Sequence, residues 1–150
     1  MLGYSRKLLY AIEAVIDIAY NTGGDPVQSA EITRRQGIPR RYLEPVLQQL
    51  VRSGVLAGVR GPRGGYRLAR ERRRITVGDI ARVVHTLESA RAEEEGPCSD
   101  LGRRVVQPLW QEIQDEAMDR LDKVSIEELC LRARSEGVES DALRRLDFSI

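Results

Sequence analysis

The fold is decided by residues 29–68, which read SAEITRRQGIPRRYLEPVLQQLVRSGVLAGVRGPRGGYRL. Ser29 is a favourable N-cap for a short helix over residues 30–36, and Gly37 ends that helix. Residues 39–53 predict a second helix, which begins at or near its proline. Two helices joined by a tight glycine turn are typical of a helix-turn-helix.

The rest of this stretch changes from helical to strand periodicity. Residues 55–60 and 66–69 are two short runs that flank the glycine- and proline-rich turn 61–65. Short runs around such a turn predict a β-hairpin. Because the hairpin directly follows the second helix, we interpret it as the wing of a winged helix.

Helical periodicity continues on both sides of this unit. Residues 8–19 predict a core helix before it, and Thr76 with Asp79 forms a capping box that opens a helix after it. Ser125 and Glu128 cap a last helix in the same way. The predicted fold class is therefore mainly α with a small β-hairpin wing: a winged helix-turn-helix plus a long dimerisation helix.

The long helix is the longest periodic stretch and runs from Asp100 to about Val124. A helix of about 25 residues spans roughly 37 Å, which is longer than the small domain beside it can cover. Part of its apolar face therefore needs another chain. We predict a homodimer interface formed by Val106, Trp110, Ile113, Ala117 and Leu121.

Charge is strongly segregated along the 150 residues. Residues 34–74 hold twelve arginines against two glutamates, whereas the remainder carries twelve basic and twenty-one acidic residues. A basic middle third between acidic flanks favours a region that binds a polyanion while the rest supports it. Nucleic acid is the obvious polyanion, although a charge run is in general more often a solvated face.

Composition excludes several other classes of protein. No apolar run reaches the length of about 18 residues that a membrane span needs. The N-terminal residues lack the uncharged core of a secretory signal, so we expect a cytoplasmic protein. The chain has a single histidine and neither a nucleophile–base grouping nor a Walker loop, which argues against an enzyme. Two cysteines are too few for a disulfide scaffold.

Three motifs carry a resemblance to a known family: residues 37–44, GIPRRYLE; residues 59–66, VRGPRGGY; and residues 76–80, TVGDI. With these motifs the chain resembles, from about residue 4 to residue 131, the bacterial winged-helix regulators that include the iron-sulfur cluster regulator IscR, the nitric oxide sensor NsrR and the cysteine-metabolism repressor CymR. The resemblance implies a homodimeric transcription regulator, symmetric through the long helix, that binds a palindromic operator in double-stranded DNA, most often as a repressor.

The resemblance also implies which residues meet DNA. The base-reading positions correspond to Arg41 and Glu44 on the second helix of the motif and to Arg60 at the wing. A glutamate in the major groove can accept from cytosine N4, and an arginine on a hairpin can enter a narrow minor groove. The remaining DNA-binding residues, which position the protein on phosphates, are Arg40, Arg63 and Arg67.

Pro45 departs from these relatives, which often have glutamine at that position. A proline inside the first turns lacks a backbone N–H, so we expect the helix to start late or to bend there. Any base contact from this position is lost, and the operator is expected to differ.

The sensing region departs further from the relatives that hold a cluster. Of their three cysteine positions only the middle one is filled, by Cys98, while the flanking positions fall near Ala92 and on Arg104, and the histidine position is Gln107. A [2Fe–2S] cluster needs four ligands. The resemblance therefore points to the cluster-free, CymR-like branch, with no cofactor or metal and with a signal received through the Cys98 thiol or a regulatory protein partner.

These expectations divide the chain into a DNA-binding winged helix over residues 1–88, a sensor-type loop over 89–99, dimerisation and C-terminal helices over 100–135, and a tail over 136–150 that is expected to fray. Three alternatives stay open. Cys98 is equally well a plain loop cysteine, and Cys130 reads as a buried small hydrophobe. The whole winged helix could also serve as a protein-interaction module with vestigial DNA binding, whose partner affinity would depend weakly on salt.

Overall fold

The computed structural model describes residues 5–89 and 99–142. Its helices and strands are α1 Arg6–Asn21, α2 Ser29–Gln36, α3 Arg40–Arg52, β1 Leu56–Val59, β2 Gly65–Leu68, α4 Val77–Ser89, α5 Gln107–Leu121 and α6 Ile126–Ser135. A mainly helical fold with one antiparallel hairpin was predicted, and this prediction is confirmed. Among the described residues, no helix combines the length and the apolar character needed to cross a membrane.

The helix-turn-helix is formed by α2 and α3, and its turn depends on one glycine. Gly37 ends α2 in the left-handed conformation, with φ of 67°, which costs glycine less than any residue with a Cβ. The prediction that Ser29 caps α2 is wrong, because the N-cap is Gln28. The Glu31 carboxylate accepts a hydrogen bond of 2.8 Å from the Gln28 backbone N–H, which moves the start of the helix by one residue.

The hydrophobic core lies around α1, which contacts α2, α3, α4 and α6. Its inner face contributes fully buried side chains such as Val15 and Ile18. Ile32 of α2, Leu47 of α3 and Ile80 of α4 are equally buried and belong to the same cluster. Both helices of the helix-turn-helix are therefore fixed to one central helix.

The wing is a hairpin whose two strands pair from Leu56–Leu68 to Val59–Gly65. A third segment joins it, because the backbone of Val27 exchanges hydrogen bonds of 2.9 and 2.8 Å with Tyr66. The turn of the hairpin and this close approach each require a glycine. A Cβ on Gly64 would overlap the Val59 carbonyl oxygen, and one on Gly65 would lie 2.5 Å from the Val27 carbonyl oxygen. The GGY part of the motif therefore has a steric cause.

A buried ion pair fixes α2 against α1. Arg35 donates to both carboxylate oxygens of Asp17, at 2.9 and 2.7 Å, and the Asp17 side chain is fully buried. Gln36 donates a third hydrogen bond to the same carboxylate at 2.8 Å. The hydrogen bonds to Asp17 raise the pKa of Arg35 above its usual value, so the guanidinium stays charged.

The long helix begins differently from the prediction. The chain is helical from Asp100 to Leu121, but Gly102–Val106 form a π-helical turn before α5. The Gln107 backbone N–H donates to the Gly102 carbonyl across this turn. Pro108 has no N–H to donate to the Arg104 carbonyl, and a wider turn removes the clash of its ring with that carbonyl.

The last helix joins the core of the winged helix rather than extending away from it. Ile126 and Cys130 of α6 are buried in the same cluster as α1, and the expectation that Cys130 is a buried hydrophobe is confirmed. Backbone hydrogen bonds from Val77 to Val124 and from Ile126 to Ile75 tie the start of α6 to the start of α4. The division drawn after residue 88 thus separates parts of one core.

The described part of the tail, residues 136–142, is held in place instead of frayed. Ser140 is buried and donates to the Tyr20 carbonyl at 2.7 Å, and the Asp141 backbone N–H donates to Asn21 at 2.9 Å. The Asp141 carboxylate accepts from Arg35 at 2.7 Å. Partial burial would raise the pKa of Asp141, but the hydrogen bond and charge of Arg35, aided by Arg34, outweigh it and lower that pKa.

We expect Arg35→Ala to lower the free energy of unfolding by about 3–5 kcal/mol, because it leaves the buried Asp17 carboxylate without its ionic partner. Urea denaturation followed by circular dichroism measures the change. Arg34→Ala is the matched control on the same helix, since that side chain is 66% exposed and its pair with Asp141 contributes less than about 1 kcal/mol. Equal effects of the two substitutions would contradict the assignment.

Candidate nucleic-acid interface

The outer face of α3 is the first part of the interface. Its inner face consists of Leu43, Val46, Leu47 and Leu50, all buried. At about 100° per residue, the opposite side carries a row of four exposed residues, and these are Arg41, Pro45, Gln48 and Arg52. Sequence reasoning singled out Arg41 and Pro45 but missed the other two, although helical periodicity places all four on one line.

Glu44 lies beside this row and is engaged by its neighbour. Arg40 donates to the Glu44 carboxylate at 2.7 Å, one turn apart on the helix surface. Both side chains keep large exposed fractions, 75% for Arg40 and 47% for Glu44. The pair is therefore open to exchange with groups of a ligand, because an exposed ion pair contributes less than about 1 kcal/mol.

Arg41 is oriented by an aromatic residue. Its guanidinium lies 4.7 Å from the centre of the Tyr42 ring, within the range of a cation–π contact. Tyr42 in turn lies 6.0 Å, centre to centre, from Tyr10 of α1. The N-terminal end of the exposed row is thus held against the first helix of the domain.

Pro45 does not delay α3, so the expectation of a late start is wrong. The helix begins at Arg40 and continues through Pro45 to Arg52. The exposed position of Pro45 explains the tolerance, because the Arg41 carbonyl that loses its intrahelical donor remains open to water.

Ten of the twelve arginines of the basic stretch fall into two groups; of the other two, Arg41 lies over the Tyr42 ring and Arg72 contacts the Cys130 thiol. In the first group each guanidinium has an acidic partner, and its members are Arg34, Arg35, Arg40, Arg70 and Arg73. The second group is exposed and makes no hydrogen bond or ion pair with the described residues, and its members are Arg52, Arg60, Arg63, Arg67 and Arg74. Three of these five lie on the wing. Positive charge without an internal partner is therefore concentrated on the hairpin and the outer face of α3.

The long helix presents a second uncovered surface. No residue of α5 is buried. Its apolar face includes Leu109 and Trp110, which are 54% and 44% exposed, and Val105 and Val106 of the π turn are 57% and 55% exposed. A row of exposed apolar side chains on one helix is unusual for a monomer.

The predicted interface residues do not share one environment. Val106 and Trp110 are exposed, and Ile113 is half-buried. Ala117 and Leu121 instead line a groove of about 500 Å³ between α4 and α5 of the same chain. The C-terminal part of the predicted interface therefore lies against α4 of the same chain, whereas its N-terminal part is exposed to solvent.

The donor set of the described residues does not fit an iron-sulfur cluster. Arg104 and Gln107, which the resemblance places at two ligand positions, offer neither a thiolate nor an imidazole. Among residues 5–89 and 99–142 the only cysteine is Cys130, and burial raises the pKa of its thiol. The prediction for Cys98 and most of the loop 89–99 falls on residues 90–98, outside the described residues.

Known proteins share this architecture and much of its sequence. The profile of the Rrf2 family, described as an iron-dependent transcriptional regulator, matches residues 4–132. The HTH-type transcriptional regulator IscR of Cronobacter sakazakii is 34% identical over 126 residues, which cover 83% of this chain and 78% of that protein. IscR of Vibrio vulnificus is 32% identical over 97% of this chain and 86% of its own length.

Solved structures of IscR and CymR are also similar to this chain. IscR of T. potens has a TM-score of 0.71 and 32% identity, with 93% of each chain covered. CymR, the global cysteine regulator of B. subtilis, has a TM-score of 0.67 and 30% identity over 88% of this chain and 98% of that one. With a family profile over residues 4–132 and relatives above 30% identity along most of its length, the chain belongs to the Rrf2 family of transcriptional regulators.

Proposed function

We propose that this chain is a homodimeric, sequence-specific DNA-binding repressor without an iron-sulfur cluster. The observation that carries the DNA-binding part is the set of exposed arginines on the wing that have no partner among the described residues. Arginines that are paired with acidic residues of the same chain stabilise the fold, whereas unpaired arginines are available to bind phosphates and base edges.

In the proposed complex α3 lies in the major groove and the hairpin lies over the adjacent minor groove. Arg60, directly after β1, enters the minor groove, where a narrow groove strengthens the negative potential. Arg63 and Arg67 contact phosphates on either side and fix the register without reading sequence.

On α3 the proposed contacts come from an exchange of partners. The ion pair between Arg40 and Glu44 opens, since it is exposed and contributes little. Arg40 then contacts a phosphate, and the Glu44 carboxylate accepts a hydrogen bond from cytosine N4. Arg41 reaches a base edge from the same turn, with Tyr42 limiting the directions its guanidinium can take.

Dimerisation is supported by the uncovered apolar face of the π turn and α5. Burying Val106, Leu109 and Trp110 against a second copy removes them from water and sets two α3 helices about 34 Å apart, one turn of DNA. A dimer bound to a palindromic site would exclude other proteins from the same DNA, which is the simplest form of repression.

The signal is proposed to reach the protein through the Cys98 thiol or through a regulatory protein partner. One cysteine per subunit in the sensor region gives two thiolates per dimer, short of the four ligands of a [2Fe–2S] cluster. Arg104 adds a positive charge to a position that would need an anionic ligand.

Arg60→Ala should weaken binding to an operator by about 1–3 kcal/mol and reduce the preference for narrow-groove sequences. The probe is a duplex that the parent protein selects from a random library, titrated by fluorescence anisotropy. Arg73→Ala is the control of equal charge change, because its guanidinium is already held by Glu71. Arg63→Ala should weaken the selected duplex and an unrelated duplex alike. Parent affinity for Arg60→Ala would contradict the wing contact.

Replacing Val106 and Leu109 together with glutamate should convert a dimer into a monomer that loses operator affinity, because two charges would face the apolar surface of the second copy. Sedimentation velocity measures the mass. Gln107→Glu places the same charge on the same segment at a polar position and should leave the dimer intact. An undisturbed dimer in the double variant would move the interface elsewhere.

Protein purified without oxygen should be colourless, and iron and sulfide should not produce a stoichiometric cluster, because the ligand count falls short. Visible absorption and iron analysis test this. Stoichiometric iron with a charge-transfer band that Cys98→Ser abolishes would contradict the cluster-free assignment and leave the DNA-binding proposal untouched.

A further inference from the structure

The centre of the outer face of α3 contains a residue that no step above uses. Gln48 lies opposite the buried Leu43, Val46, Leu47 and Leu50, and its side chain is exposed. It makes no hydrogen bond with the described residues. Both its amide donor and its carbonyl acceptor are therefore available to a ligand.

The residues next to Gln48 on the helix surface leave it as the main polar side chain in the centre of the row. Pro45, one turn earlier on the same row, has no polar side-chain atom to offer to a base edge. Glu44 lies toward one side of the row and is paired with Arg40. Between Arg41 and Arg52, Gln48 is thus the one residue in the centre of the row whose side chain can both donate and accept.

We propose that Gln48 is a specificity-determining residue that reads an adenine in the major groove. The glutamine amide pairs with adenine in a bidentate way, with its nitrogen donating to N7 and its oxygen accepting from the N6 amino group. No other base presents an acceptor and a donor in this order on its major-groove edge. The inference rests on the proposed DNA-binding function and adds one position to the operator.

The geometry of the helix also gives the register. Gln48 lies four residues after Glu44, which is about 6 Å along the helix axis. Base pairs are stacked about 3.4 Å apart and a recognition helix is inclined to the DNA axis, so the adenine lies about one to two base pairs from the pair that Glu44 contacts. Each half-site should therefore show an A·T preference at that spacing from a C·G preference.

The test compares Gln48→Ala with Gln49→Ala, its neighbour of the same residue type, which is half-buried and off the row. Parent and both variants select duplexes from one random library. The parent and Gln49→Ala should select the same motif, and Gln48→Ala should lose the A·T preference at one position per half-site while keeping the others. An unchanged motif for Gln48→Ala would overturn the proposal.

A second measurement uses the parent protein and so does not depend on the folding of a variant. The adenine at that position is replaced by 7-deazaadenine, which lacks the N7 acceptor. The parent should bind the modified duplex roughly 10-fold more weakly, and Gln48→Ala should bind both duplexes equally. Parent insensitivity overturns the role of Gln48 alone. A parent that selects no motif overturns the proposed function and this inference together.

Discussion

The contact between Arg35 and Asp17 is the constraint on which the proposed DNA-binding surface depends. The two residues lie on α2 and α1, and their bidentate contact fixes the helix-turn-helix to the central helix of the core. Asp141 of the C-terminal segment holds the same guanidinium from the other side. A buried carboxylate is costly without its partner, so the pair disfavours positions of α2 that separate it from α1, and α3 follows α2 through the short turn at Gly37.

Most arginines of the basic stretch form two groups, one in ion pairs within the chain and one without an internal partner. The arginines at the end of α2 and at the base of the wing neutralise acidic groups of the same chain, as with Arg70 and Asp79. The wing itself carries no acidic residue, and Arg60, Arg63 and Arg67 have no partner among the described residues. Gly65 lets the hairpin approach Val27, and the backbone hydrogen bonds between Val27 and Tyr66 hold the hairpin to the domain, so its unpaired arginines lie on a well-supported element.

The long helix is only partly accommodated by its own chain. Its second half lies against α4 and ends at the turn where Asp122 meets Arg82 at 2.5 Å. Its first half, with the π turn, leaves apolar side chains in water. This uneven coverage explains how one helix can belong to the fold and also carry the surface that we propose for a second copy.

The sequence by itself determined the elements of this protein. Gly37, the capping box of Thr76 and Asp79 and the Gly64 turn of the hairpin act on backbone a few residues away, so the sequence alone predicts them. The sequence placed the N-cap of α2 at Ser29, whereas the structure has it at Gln28. The two residues are adjacent, and the choice between them depends on the hydrogen bond that the Glu31 carboxylate accepts from the Gln28 backbone.

Only the tertiary structure decided which charges remain free. Arg35 meets Asp17 across 18 residues and Asp141 across 106, and no spacing rule connects such positions. Local spacing also does not predict that the C-terminal segment is held in place by Tyr20. Nor does it predict which apolar residues of α5 lie against α4 and which are exposed to solvent. Helical periodicity gives the face of a helix, but the neighbour that covers that face is set by the packing of segments distant in the chain.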